Sequence, residues 1–307
     1  MLPRIGRPRV LTLLWAWVIL IVTGASWGLS FSLARIATTS GAHPLSIVFW
    51  ECVVAGALLI MLLVFRRIPI PISGRLTYFH LLTALIGMVI PGAAFFYAAA
   101  HVPAGVLSIT IGISPILTFL GAALIGLEKF AIGRVFGVIL GTLAVVLLVA
   151  PDASLPDPKQ MPWVFLGLIS AACYSLLNLV LALRAPPGVS SLMLTCGMFV
   201  TSAVLMVPIL FATGGFTPFG WPWGIVEWAI LGLGAINAIA YPLYFMLVNY
   251  AGAVFGSFSA NVVTLFGVVW GIVIFSEHNS IWIWLSFTTI MLALTLVAPR
   301  GSQRVET

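Results

Sequence analysis

Chemistry-bearing side chains are few in this 307-residue chain, and they recur at helical spacing. Thr23, Trp27 and Phe31 fall at i, i+4 and i+8 with Ser30 beside them, placing a hydroxyl and two rings on one helix face. Ser170, Tyr174 and Asn178 repeat that spacing. Asn237, Tyr241 and Tyr244 form a third stripe, Ser108, Gly112 and Pro115 a fourth, and Ser257, Asn261 and Thr264 a fifth. Glu51 is an acid set within an apolar run. These groups can hydrogen-bond and stack with a small amphiphile, but they do not assemble a bond-breaking centre. No HExxH, no paired-aspartate metal motif and no HxxxxD pattern occurs, and Asp152 and Asp157 share one proline-bounded loop. The residues point to recognition without a cofactor or metal, not to an enzyme.

The elements that must carry these stripes follow from composition. The chain is 62% hydrophobic and only 7% charged, with mean hydropathy +1.21. Soluble domains carry roughly 25% charged residues, so too few are present here to coat a water-facing surface. The solvent is lipid. A bilayer core takes about 20 apolar residues as helix, and breaks at charges, Pro and Gly delimit ten spans. The first five are expected near 12–35, 45–65, 77–98, 103–126 and 132–150. The second five are expected near 162–183, 190–211, 226–248, 253–275 and 281–298. The first apolar run continues through Trp27 to Ala34, too long for the apolar region of a cleaved signal, so it is read as a retained span. The three cysteines, Cys52, Cys173 and Cys196, lie inside apolar runs and form no disulfide or metal spacing.

With the N-terminus placed in the cytoplasm, the cytoplasmic connections hold 11 of the 13 Lys and Arg residues, leaving Arg35 and Lys159 on the outer side. That is the positive-inside bias, and it places both termini in the cytoplasm. The positive balance of +6 is therefore a topology signal, and no nucleic-acid partner is expected.

The chain also repeats itself. Phe95–Ser108 faces Tyr244–Ser257 at an offset of 149, and Glu128 faces Glu277 at the same offset. LLVAP at Leu147–Pro151 faces TLVAP at Thr295–Pro299 at 148, and the stripe of the first span faces that of the sixth at 147. Two units follow, 1–151 and 152–307, each with five spans. Five is odd, so the second unit enters the bilayer inverted. Glu128 then ends its span inside, beside Lys129. Glu277 ends its span outside, where the bias against cations leaves His278 instead. Inverted repeats of this kind mark transporters, with a substrate site at mid-depth between the halves.

The stretch FYAAAHVPAG from Phe96, Ser114-Pro115, GLEK at Gly126–Lys129, SWG at Ser26–Gly28 and Pro44 together resemble the drug/metabolite transporter superfamily of the EamA type. The resemblance spans essentially the whole chain and looks most like ten-helix bacterial amino-acid exporters of the YddG kind. It implies an all-α basket of ten helices around a central cavity, in a bacterial inner membrane, exporting small metabolites. One departure stands out. The family often has an arginine seven residues after the proline of the second span, and here that position is Glu51.

The candidate substrate-binding set is Trp27, Ser30, Phe31, Ser108, Gly112, Tyr174, Asn178, Asn237, Tyr241, Tyr244 and Asn261, with Glu51 as a candidate for coupling. Polar groups at lipid depth must point inward, to partners or to a wet cavity. Small residues at every fourth position also serve close helix packing, so Ser108, Gly112, Ser257 and Thr264 fit either role. Trp221, Trp223, Trp228, Trp282 and Trp284 fit an interfacial belt. Glu51, two turns into its span, is read as a proton carrier, a cation ligand, a partner of Arg35, or a solvated or neutral acid near the interface. His80 and His101 are read as interfacial, and Pro91, Pro115 and Pro242 as bends.

No Lys or Arg sits at membrane depth, which disfavours phosphorylated cargo. Amides, hydroxyls and rings suit a zwitterion with an apolar or aromatic side chain, an amino acid above all. A cationic drug would need a carboxylate, for which only Glu51 is available. A channel or a membrane enzyme is a more distant reading. The expected partners are a small molecule and the lipid bilayer. The Gly137/Gly141 and Gly252/Gly256 pairs would let helices slide.

Overall fold

Helices begin and end where backbone donors run out. The computed structural model describes residues 10–68, 73–126, 132–149, 155, 157–257 and 259–297, and among them all regular structure is helical. Pro44, lacking an N–H, opens α2 (Pro44–Phe65) after α1 (Val10–Thr39). Ser73 accepts from the Leu76 N–H to cap α3 (Gly74–Ala84). A π-turn at Leu85–Val89 joins α3 to α4 (Ile90–Ala99). Its cause is local: Pro91 has no N–H for the ladder, and the helix widens just ahead of it.

Pro103 caps α5 (Ala104–Ile111), and Pro115 opens α6 (Ser114–Leu124) after a break at Gly112. Then come α7 (Ile132–Val149), a short 3₁₀ turn at Pro158–Gln160 and α8 (Met161–Arg184). They are followed by α9 (Ser191–Thr213), α10 (Ile225–Ser257), α11 (Ser259–Phe275) and α12 (Ile281–Val297).

Among the described residues seven segments are long and apolar enough to cross a bilayer; Gly74–Ala99 and Ala104–Leu124 each count as one through their internal breaks. Three further apolar helices, Ile132–Leu148, Asn261–Phe275 and Ile281–Leu296, are shorter. They reach only about 22–26 Å at 1.5 Å per residue. The ninth element starts later than the expected 253. In the first half Pro103 forces a turn before α5. Its counterpart at offset 149 is Gly252, which keeps its N–H, and α10 runs on to Ser257. Glu128, Lys129 and Asp152, the side chain of Ser257 and the surroundings of Gly252 and Gly256 lie outside the described residues.

The molecule is apolar outward. Phe65, Phe211 and Ile132 are more than four-fifths exposed, while Ser46, Ser108, Thr110, Ser170, Ser202 and Ser286 are buried. Packing pairs elements across the midpoint of the chain. Helix α1 lies against α10 and α11, and α8 lies against α4, α5 and α6. Helix α2 packs on α9, and α7 on α12. Thr217, in the loop after α9, fixes the start of α2. It accepts from the His43 N–H through Oγ1, and its carbonyl accepts from Ser46 Oγ and Trp50 Nε1 at 3.0 and 2.9 Å.

The α1–α11 contact needs glycine. A Cβ on Gly28 would lie 2.7 Å from Phe266 Cβ and 2.9 Å from the Gly267 nitrogen, and backbone cannot step aside. Gly24, one turn earlier, abuts the Val262 side chain in the same way. Gly28→Ala is therefore expected to cost about 1–3 kcal/mol by overpacking. Thermal unfolding of the detergent-solubilised protein checks this. Gly74→Ala, where a Cβ meets nothing within 4 Å, is expected to leave the midpoint unchanged.

Candidate functional site

The residues that recur at helical spacing converge on one cavity of about 750 Å³. Helix α1 supplies Trp27, Ser30 and Phe31, α2 supplies Glu51, and α5 with the break after it supplies Ser108 and Gly112. Helix α8 brings Tyr174 and Asn178, α10 brings Asn237, Tyr241 and Tyr244, and α11 brings Asn261. Every candidate thus reaches the same space, though not with the same role. That volume lies within the range of roughly 300–1,000 Å³ usual for small-molecule sites.

The polar centre is a chain of three side chains from three helices. The Trp27 Nε1–H donates to Asn237 Oδ1 at 3.1 Å, and Asn237 Nδ2 donates to Glu51 Oε1 at 2.5 Å. Rings enclose it. Trp27 meets Tyr241 edge-on at 5.2 Å between centroids and Tyr244 at 5.5 Å, and Tyr241 in turn meets Phe199 at 5.7 Å. Glu51 is only 4% exposed, so the reading of it as a solvated acid is corrected. Its expected partner is corrected too, because Arg35 binds elsewhere. An acid reaches this depth only because Asn237 meets it and the cavity gives it a polar outlet.

Other candidates sort into wall and mouth. Ser108 is buried, donates to the Gly105 carbonyl at 2.8 Å and presses on Gly267, where any Cβ would collide with it. Gly112 abuts Thr264 Oγ1, which a Cβ would approach to 2.7 Å. These two mainly let α5 approach α11. Asn178 is exposed at the far end, where its Nδ2 donates to Thr118 Oγ1 at 3.4 Å. Arg134, Pro186 and Val189 line that same end, and the Arg134 guanidinium lies 5.1 Å over the Phe119 ring. Ser170 does not reach the cavity; it donates to the Pro91 carbonyl at 2.8 Å and ties α8 to α4. His101 stacks flat on Trp163 at 3.6 Å. His80 packs its ring against Gly197.

The opposite end is sealed. Phe31 meets Phe95 at 5.5 Å, and Phe95 meets Phe96 at 5.1 Å. One turn beyond Phe31, Arg35 Nη1 pairs with Glu277 Oε1 at 2.5 Å, and its guanidinium lies over Phe275. The same carboxylate accepts from the first backbone donors of α5, Ala104 N–H at 2.8 Å and Gly105 N–H at 3.2 Å. Ser276, in the left-handed region at φ 53°, turns the chain after α11 toward α5. The seal combines a charge pair with an occupied helix N-terminus. Its residues escaped selection in the sequence. Arg35 extends the Trp27–Phe31 stripe by one more turn, and that continuation was the available signal. Phe95, Phe96, Thr118, Phe119 and Arg134 also line the cavity without having been chosen, because apolar runs conceal which ring faces inward.

Helices that are apolar outside, polar within and wrapped around one chambered site define a multi-pass membrane transporter. The family model described as "EamA-like transporter family" matches residues 14–150 and again 161–298, and the chain belongs to that family. A solved structure titled only "Crystal structure of protein" matches 94% of this chain and 99% of its own, with a TM-score of 0.65 at 18% identity; it shares the fold. No curated protein matches.

The sealed and open ends differ in access. In a background without Cys52, Cys173 and Cys196, Asn178→Cys and Thr118→Cys are expected to react with a polar maleimide at least about tenfold faster than Val106→Cys. Equal rates would contradict a cavity open at the α8 C-terminal end.

Proposed function

We propose that this chain exports small zwitterionic metabolites, amino acids with apolar or aromatic side chains above all, by alternating access at the cavity. The observation that carries it is the cavity itself: hydrogen-bonding groups beside Trp27, Tyr241 and Tyr244, with apolar Phe31 and Phe95 at the sealed end. The likeness to amino-acid exporters of the YddG kind supplies the outward direction.

In this reading residues 1–151 and 152–307 are two inverted five-helix units, giving ten spans. Three features support it. The family model matches twice, in 14–150 and 161–298. Helices α1 and α8 each pack into the opposite half. With ten spans and the N-terminus inside, Lys and Arg fall mostly on one side, which favours both termini in the cytoplasm of a bacterial inner membrane. The mouth near Asn178, Arg134 and Pro186 then faces the cytoplasm, and the Arg35–Glu277 seal faces outward. Loading occurs from inside. Release requires Glu277 to leave both Arg35 and the α5 N-terminus, while the α8 end closes.

Burial of Glu51 without a basic partner among the described residues favours a second reading, export of organic cations by the same path. Purified protein in liposomes, offered labelled phenylalanine, threonine and a viologen cation with and without a pH gradient, separates the two. Phenylalanine flux is the expected result, and movement of the viologen alone would replace the amino-acid reading with the cationic one.

Loss of the seal has a direction as well. Charged hydrogen bonds contribute roughly 1.5–3 kcal/mol each, so Glu277→Gln is expected to shift the resting population toward the outward-open form by at least about tenfold. Labelling of Phe95→Cys from the outer side measures it, and an unchanged rate would remove Glu277 as a gate. Tags placed after Phe130 and after His278 are expected on opposite faces of the membrane.

A further inference from the structure

We infer, building on the transport reading above, that Trp27, Asn237 and Glu51 form a subsite for a protonated nitrogen, and that cargo must carry one to be recognised. An indole N–H can only donate, so Trp27 dictates which way the Asn237 carboxamide faces. Its oxygen is taken by Trp27 at 3.1 Å, and its NH₂ group is turned onto Glu51 Oε1. The amide oxygen thus faces Trp27 and one of the two amide N–H groups is used by Glu51, so the ionisable group that the cluster presents to the cavity is the Glu51 carboxyl. A cationic donor is the ligand that complements that carboxyl. A carboxylate or phosphate would meet an acceptor of its own kind.

Three further observations identify the donor as a cationic nitrogen. Glu51 is buried, and among the described residues no lysine, arginine or histidine pairs with it. Arg35 is occupied by Glu277, and Arg134 lies over Phe119 at the mouth. An uncompensated acid at lipid depth is costly, and a cation supplied by the cargo compensates it. The surrounding groups are rings of α1 and α10: Tyr241 and Tyr244 lie 5.2 and 5.5 Å from Trp27 between centroids. Ring faces attract a cation and stay indifferent to its substituents. The ammonium of an amino acid and that of an organic amine satisfy this subsite equally. What tells them apart is the rest of the cavity, where an amino acid's carboxylate must turn away from Glu51.

The test is a matched set of ligands at one pH with the whole protein in nanodiscs: phenylalanine, phenethylamine and 3-phenylpropanoate, which share a ring and differ in their charged groups. Phenylalanine and phenethylamine are expected to bind, and 3-phenylpropanoate to bind at least about tenfold more weakly. Tighter binding of phenethylamine than of phenylalanine assigns the site to organic amines; the reverse assigns it to amino acids.

Glu51→Gln is expected to weaken both nitrogen ligands about 10–100-fold without lowering the thermal midpoint, with partial recovery in Glu51→Asp. Trp27→Phe, which keeps the ring and removes the N–H that orients Asn237, is expected to weaken binding severalfold in the same ligands only. Equal binding of 3-phenylpropanoate, or unchanged affinities in Glu51→Gln, overturns the subsite. Liposome flux separates this outcome from failure of the transport reading. Equal phenylalanine flux through the parent and Glu51→Gln proteins removes the subsite and leaves transport standing. Binding that depends on Glu51 with no flux of any cargo removes transport and leaves the subsite.

Discussion

Hydrocarbon offers no hydrogen-bond partners, and every feature of this molecule answers to that constraint. Backbone groups are satisfied within helices, and the helices turn Phe65, Phe211 and Ile132 outward. Polar side chains have two destinations. Some return to their own helix, as Thr110 does to Val106, Thr118 to Ser114 and Ser202 to Met198, each donating to the carbonyl four residues back. The others must find each other across helices, and those are the ones that converge. Trp27, Asn237 and Glu51 come from three separate elements and would each be costly alone. Meeting at one point, they make a polar interior in a protein whose exterior forbids one.

That convergence depends on the crossed packing of the two halves. Helix α1 belongs by sequence to the first half but lies on α10 and α11, and α8 belongs to the second half but lies on α4 to α6. Each half thereby supplies a wall to the other. Close approach is set by Gly24 and Gly28 on α1 and by Gly267 facing Ser108, so the wall between α1, α5 and α11 is thin and backbone-dominated. Van der Waals contact and small residues hold such an interface, since there is no hydrophobic difference between lipid and leucine to drive it. An interface of this kind has little polar cost when it shifts, which leaves the Arg35–Glu277–α5 cluster as the strongest directional bond across that wall.

Much of this was legible in the sequence, for a definite reason. Helical phase says which residues share a face, and in a chain solvated by lipid the polar face must be the inner one. Hence Tyr174, Tyr241, Tyr244 and Asn261 could be assigned to a shared interior from spacing alone. Phase does not give depth or partner. Glu51 was taken for an acid near the interface because it lies only two turns into its span. Only the fold brings Asn237, 186 residues away, to its carboxylate. Arg35 was matched to the wrong acid for the same reason. Asn178 shares the stripe of Tyr174 but lies one turn nearer the helix end, and that turn carries it from the interior to the mouth. Ser108 illustrates a different limit: a serine bonded to its own helix and one facing a cavity have identical spacing.

Glu51, at a position where the family resemblance leads one to expect arginine, also gains a physical meaning from its neighbours. An arginine at this position would offer donors to the cavity and would repel a cationic nitrogen. Asn237 could serve it by turning its oxygen toward the guanidinium, but here that oxygen is turned to Trp27 and the NH₂ group to residue 51. The three positions are thus mutually specified. With Trp27 donating and Asn237 forwarding its NH₂ group, only an acceptor fits at residue 51, and an acceptor buried there must be either neutral or an acid. Glutamine would close the hydrogen-bond chain as well as glutamate does. What it would not supply is charge. The presence of an acid where an amide would suffice structurally is therefore an argument for a ligand, because a carboxyl without a basic partner among the described protein groups gains one only when cationic cargo enters.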